Sequence, residues 1–180
     1  WELPEEFRPR PDAYGFELNR VLDGVLSLSA SVPDTAFTAS ALGTERMGNA
    51  VLIREEGVVL TIGYLVTEAE QVTLRAANGQ SVEGHVLGVD SASGLGLVQA
   101  LQPLDVDPVV VGSSKDVEIG ERVIMAAGGR RGRALEARLA ARQEFAGYWE
   151  YLLEEALFSA PSLPLWSGAA MLNRRGELIG

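Results

Sequence analysis

Few residues in this chain could do chemistry. Ser167, in "LPLWSGA", is a hydroxyl beside a glycine, and such a hydroxyl attacks only when a neighbouring base takes its proton and a third group holds that base. Sources of a base are scarce. Cysteine is absent, the one histidine is His85 in "EGHVLGV", and the one lysine is Lys115 in the polar turn "SSKD". His85 has no visible partner, so a structural or surface role is expected for it. Lys115 could form a Ser-Lys dyad with Ser167, but a turn lysine is expected to be solvated. One His and no Cys leave no ligand set for a catalytic zinc, and no cofactor is expected. The run "RRGR" (130 to 133) could grip an anion through arginine forks, yet in an acidic chain it reads more simply as a solvated loop.

The scaffold for these groups is bounded by composition. A chain of 180 residues buries roughly 70% of its extended surface, enough for a true core. Hydrophobic residues make up 47%, and no apolar run reaches the roughly 20 residues that span a bilayer. Twenty-five acidic against fifteen basic residues give a net charge of -10, which opposes phosphate backbones and argues against a nucleic-acid partner. Without cysteine there is no disulfide frame, and the redox compartment stays open. Trp1 follows no initiator methionine and opens no signal pattern, so an upstream segment is expected.

Residues 1 to 13 carry three of the chain's eight prolines and predict an extended arm, followed by a short helix over 14 to 23. From Val25 onward, short runs rich in Val, Leu and Ile alternate with turn residues, predicting strands at 25–31, 48–53, 57–61, 71–77, 81–89, 94–100, 108–111 and 121–127. Asn78-Gly79 predicts a hairpin with a type I′ turn. Residues 133 to 145 are strong helix formers, but Leu135, Ala137, Leu139 and Ala141 alternate with polar residues, and the alternation predicts a strand. Residues 147 to 158 fit a helical turn or a strand. Proline and aspartate at 101 to 108 read as a linker between two groups of strands.

The order of motifs resembles the HtrA group of trypsin-like serine proteases over about residues 19 to 180. The segments that carry it are "MGNAVLIREEGVVLTIGYLV", the Asn-Gly hairpin ending in "VLGVD", "VGSSKDVEIGERVIMAAGG" and "SGAAMLNRRGELIG". The resemblance implies an all-β fold of two antiparallel β-barrels of the trypsin/chymotrypsin type with a short N-terminal arm and helix. Its expected divisions are 1–24, 25–105 and 106–180. It places Tyr64 of "TIGYLV" where the family has its histidine, Gly94 of "SGLGLV" where it has its aspartate, and Ser167 at the nucleophile. Leu165 stands at the glycine whose N–H helps form the oxyanion hole. A phenol ordinarily titrates near pH 10 and is a poor base at neutral pH, and glycine has no side chain to orient one.

The expected function is therefore a catalytically inactive trypsin-like homologue, a pseudoprotease, that binds a protein or peptide or serves in an assembly. The alternative is a serine endopeptidase using Ser167 with a non-standard base or a group supplied by another chain. A third reading is a purely structural domain of a larger protein. The aromatics Phe145, Tyr148, Trp149, Tyr151, Phe158 and Trp166 are expected to pack the second barrel or, alternatively, to anchor a partner. Trp1, Phe7, Tyr14 and Phe16 in the arm need a surface, either their own barrel or the trimer or other homo-oligomer that the resemblance implies. It also implies a bacterial periplasmic setting and further strands after Gly180, so a lost tail or a neighbouring chain is expected to cover the edge at 176 to 180.

Overall fold

The computed structural model describes residues 2–147 and 152–180. The first half forms six strands, β1 (Val25–Ser31), β2 (Glu45–Leu52), β3 (Val58–Ile62), β4 (Gln71–Arg75), β5 (Ser81–Asp90) and β6 (Leu95–Ala100). They close into an antiparallel barrel in the order β1-β2-β3-β6-β5-β4. The two-residue period of a strand explains the closure. In β1, Leu26, Leu28 and Ala30 point inward while Ser27, Ser29 and Ser31 point out, and in β4 Val72 and Leu74 are buried while Thr73 and Arg75 are not. A slip of one residue would expose every leucine of β1, so the register is strongly specified. Short helices α1 (Leu18–Asp23) and α2 (Ala39–Leu42) precede β1 and β2 respectively.

The second half is a four-stranded antiparallel sheet in the order β10-β7-β8-β9, from β7 (Arg122–Ala126), β8 (Ala134–Ala146), β9 (Leu152–Ala160) and β10 (Ala170–Leu172). The all-β architecture expected from the sequence is the observed one. In β8 the alternation outweighs helix propensity: Leu135, Ala137 and Leu139 are buried, and the strand pairs with β7 on one side and β9 on the other. Propensity differences of a few tenths of a kcal/mol per residue cannot compete with a core leucine worth about 2 kcal/mol. Within the stretch 147 to 158, residues 152 to 158 belong to strand β9. Tyr148, Trp149 and Tyr151 lie outside the described residues, as does Trp1. Phe145, 42% exposed, meets Phe158 edge-on at 6.0 Å, so these two rings line an open apolar surface rather than a closed core.

Several local expectations are corrected. Residues 108–111 do not form a strand: Pro108 lacks a donor, and Val111 makes one isolated bridge, to Leu178. Residues 176 to 180 are also tied to their own chain. Leu178 donates to Val110 O and accepts from Gly112 N, both at 2.8 Å, and Ile179 donates to Met171 O at 2.9 Å. The hairpin turn is not type I′, because Gly79 has φ +93° but Asn78 does not adopt a positive φ. The Asn78 carboxamide accepts from Gln80 N at 2.9 Å, and Ala76 N donates to Gln80 O, giving a wider loop. The helix begins at Leu18, not at residue 14, since Tyr14 and Phe16 are engaged as a ring pair 5.5 Å apart.

The arm, expected to be featureless, contains single 3-10 turns at Glu5–Phe7 and Pro11–Ala13 and folds back on its own chain. Leu3 is buried with Leu135 and Leu163 and donates to Gly132 O at 2.8 Å. Arg131 pairs with Glu5, and Arg130 with Asp23 at 2.6 Å, so "RRGR" is a tethered turn. Tyr14 and Phe16 pack against the cluster of Leu18, Leu22 and Ile124, while Phe7 stays about half exposed.

Tyr14 also donates to Glu136 Oε2 at 2.8 Å. Burial, reinforced by that carboxylate, pushes its phenol well above the ordinary tyrosine value. A folded-state pKa above the unfolded one gives stability that is complete below the unfolded value and lost as pH rises through the folded one. Tyr14→Phe is expected to lower neutral-pH stability by about 1 kcal/mol. Urea denaturation across pH should show the gap between the two proteins closing above about pH 10.

Candidate active site

Tyr64 sits in a single 3-10 turn, Gly63–Leu65, at the end of β3. The buried Leu65 pins that turn to the barrel core, and the Tyr64 ring packs against the same core from its rim. Ser167 comes from the loop between β9 and β10. Its hydroxyl is hydrogen-bonded to the Tyr64 hydroxyl, and either can be the donor. Two groups far apart in sequence are thus joined at their reactive atoms.

Gly94 lies directly behind the tyrosine turn. Its carbonyl accepts from Gly63 N at 2.7 Å and its N–H donates to Asp90 O at 2.8 Å. It adopts φ +73°, a conformation that strains any residue with a Cβ. No side chain is therefore offered to Tyr64 from this position. Leu165 is 38% exposed, and its carbonyl accepts from Asn49 Nδ2 at 2.9 Å. His85 is exposed on β5 opposite Gln99, and Lys115 is exposed in the turn Ser114–Asp116; neither is hydrogen-bonded to Ser167.

Two residues that hold this arrangement were not singled out from the sequence. Asn49, 5% exposed on β2, donates through Nδ2 to Leu165 O and to Ser167 O, both at 2.9 Å, and its backbone N–H donates to Ser167 O at 2.9 Å. Its Oδ1 accepts from Gly128 N at 2.9 Å. Arg46, 4% exposed, donates to Tyr64 O at 2.7 Å, Thr67 O at 2.8 Å, Gly43 O at 3.2 Å and Thr38 Oγ1 at 2.7 Å. Burial lowers its pKa, and the nearby Glu68 carboxylate opposes that shift. Glu68 in turn accepts from the Thr38 hydroxyl and from the N–H groups of Thr38 and Phe37, which keep its carboxyl below the usual range. The signal for Asn49 was a polar residue at the start of the apolar run "AVLI", and Arg46 stands three residues before Asn49 on the same strand.

Gly168, at φ +68°, lies against the Asn49 carbonyl where a Cβ would collide. The serine loop can therefore approach β2 only because this residue has no side chain. Beside Ser167 opens a groove of about 680 Å³, walled by Met47, Leu165 and Trp166. Trp166 is 65% exposed and Met47 81%.

Residues 48–180 match the family model for the trypsin-like peptidase domain. The chain belongs to the trypsin-like peptidase family. Among curated proteins, this trypsin-like chain is similar to the periplasmic pH-dependent serine endoprotease DegQ of Escherichia coli strain K12. The two are 24% identical over 153 residues, 76% of this chain and 30% of that protein. It is also similar to the putative serine protease HhoA of Synechocystis, 28% identical over 140 residues, 74% of this chain and 35% of that protein. The chain thus spans about a third of the length of these relatives. In fold it is similar to the HtrA-type protease AlgW with tripeptide, at TM-score 0.74 and 19% identity, covering 96% of this chain and 53% of that one.

Asn49 supplies the sharpest test of how the trypsin-like site is held. Asn49→Ala would leave Leu165 O and Gly128 N without their partner, while Ser167 O keeps the backbone N–H of residue 49, a loss on the order of 2 kcal/mol. Asn49→Asp should cost more, because its carboxylate would face the carbonyl oxygens of Leu165 and Ser167. Chemical denaturation of the three proteins should rank them wild type, then alanine, then aspartate.

Proposed function

We propose that this trypsin-like chain is a pseudoprotease, a domain that binds a protein or peptide beside Ser167, or serves in an assembly, without hydrolysing what it binds. The observation that carries this reading is the hydrogen bond between the Tyr64 and Ser167 hydroxyls. A serine engaged by a phenol at the place where a base is required has no partner built to take its proton. Gly94 adds nothing to orient such a base. The groove beside the pair, with exposed aromatic and aliphatic walls, supports a binding role. So do the structures of similar fold, which hold a tripeptide and a decapeptide.

A second reading has its own support. The similar curated proteins include a periplasmic serine endoprotease and a serine protease HtrA-like, and the sequence resemblance implies that Ser167 takes the nucleophile position. In that reading Ser167 cleaves peptides with a non-standard base or with a group from another chain.

A fluorophosphonate probe separates the two, since it reports an activated serine without a known substrate. The pseudoprotease is expected to show no labelling at Ser167 and no turnover of casein; turnover abolished by Ser167→Ala would establish the peptidase instead. The double variant Tyr64→His with Gly94→Asp is expected to remain without efficient hydrolysis in the same assay. Leu165 still occupies the oxyanion position, and Gly94→Asp puts a Cβ on a left-handed backbone at a cost of about 1 kcal/mol or more.

A further inference from the structure

The groove beside Ser167 has an asymmetry of charge that the chain as a whole does not prepare for. In a protein of net charge -10, this groove is lined by two arginines, Arg75 and Arg133, and by no carboxylate. Neighbouring arginines are neutralised, Arg130 by Asp23 and Arg131 by Glu5. Arg75 is not: it is exposed at the end of β4, and no described carboxylate pairs with it.

The position of Arg75 follows from the strand registers. Asn49 on β2, which holds the Ser167 carbonyl, is directly opposite Ser27 on β1, and Ser27 is directly opposite Arg75 on β4. All three lie along the groove. Two strand spacings of about 4.8 Å put the Arg75 backbone about 10 Å from Asn49 across the outer face of the barrel. A peptide in the extended polyproline II conformation advances about 3.1 Å per residue and returns to the same face every third residue, so about three residues cover that span with both side chains toward the groove. The intervening floor is polar and small, formed by Ser27, Ser29 and Thr73, and leaves the backbone of such a peptide room and hydrogen-bonding partners. At the other end, Met47, Leu165 and Trp166 offer an apolar bed.

We propose that this groove selects an extended peptide segment carrying an acidic side chain about three residues from an apolar one. The apolar residue lies against Trp166, Leu165 and Met47 beside Ser167, and the carboxylate meets the guanidinium of Arg75. This rests on the peptide-binding reading above and names the class of peptide. The rest of the surface favours it too, because a chain this acidic repels polyanions at large and leaves the groove as the place where a single carboxylate is welcome.

The test is selection of a displayed random heptapeptide library on the full chain, followed by affinities of the selected peptides by fluorescence anisotropy. Enriched sequences are expected to carry Asp or Glu three positions from Leu, Met, Phe or Trp. Replacing that acid by its amide should weaken binding about tenfold, the low end of what a hydrogen bond to a charged group contributes. In Arg75→Gln the acid and amide peptides should bind alike, with Arg75→Lys restoring part of the difference. Trp166→Ala should weaken both peptides together. Circular dichroism checks that each variant is folded. Enriched peptides without an acidic position, or an acid preference that survives Arg75→Gln, would overturn this inference and leave the peptide-binding reading standing. Failure of any sequence to enrich would remove both. Displacement of the acidic peptide by free glutamate or inorganic phosphate at equal concentration would reduce the site to a simple anion site, and the inference would fall.

Discussion

The buried carboxamide of Asn49 must satisfy three hydrogen-bonding directions at once, and the layout of both halves around the site follows from that requirement. Its amino group holds the carbonyls of Leu165 and Ser167, its oxygen holds Gly128 N, and its backbone belongs to the barrel. A carboxamide suits this place because it offers donors and an acceptor without a charge to desolvate. The loop carrying Ser167 and the segment after β7 are thereby fixed to β2, and through β2 to the whole first barrel. With Gly168 lying against the Asn49 carbonyl, the backbone of the serine loop is held close to β2.

Arg46 does for the tyrosine what Asn49 does for the serine. Its guanidinium collects the carbonyls of Tyr64 within the turn Gly63–Leu65, of Thr67 just after it and of Gly43, so the Tyr64 backbone is held by a buried cation rather than by regular pairing. A guanidinium suits this role because it stays charged under burial and presents several donors in one plane. On the proposed reading, the chain keeps the supports of a hydrolytic site while the side chains at its chemical centre serve recognition.

The strands were legible in sequence where one face met the core and the other met solvent. The boundaries of β1 were matched residue for residue, and β8 was recovered from its alternation against a strong helical bias. Failures came where a neighbour far away in sequence decided the matter. Nothing local at 108–111 announces that Leu178 will lie beside it, and nothing at Asn78 says its side chain will take the Gln80 N–H. Tyr64, Gly94, Leu165 and Ser167 could be singled out because motif order marks their positions. Asn49 and Arg46 could not, since a polar residue beside an apolar run is ambiguous until its buried partners are known. The arm was misjudged for a related reason: prolines exclude long helices but permit single turns, and the places that receive Leu3 and Tyr14 are built from β8 and the loop after β7.

Among the described residues, β9 is the outer strand of its sheet and is nine residues long. Two devices set it apart from a flat template. Its register against β8 shifts twice, between Leu139 and Ala141 and again between Gln143 and Phe145, so its polar groups do not form an even ladder. Glu154 and Glu155 add adjacent carboxylates on the strand itself. Two copies meeting edge to edge would bring four negative charges together on molecules that already repel each other. A pair of register shifts and a pair of glutamates thus work against edge-to-edge pairing at β9, and neutralising the acids would lower that barrier.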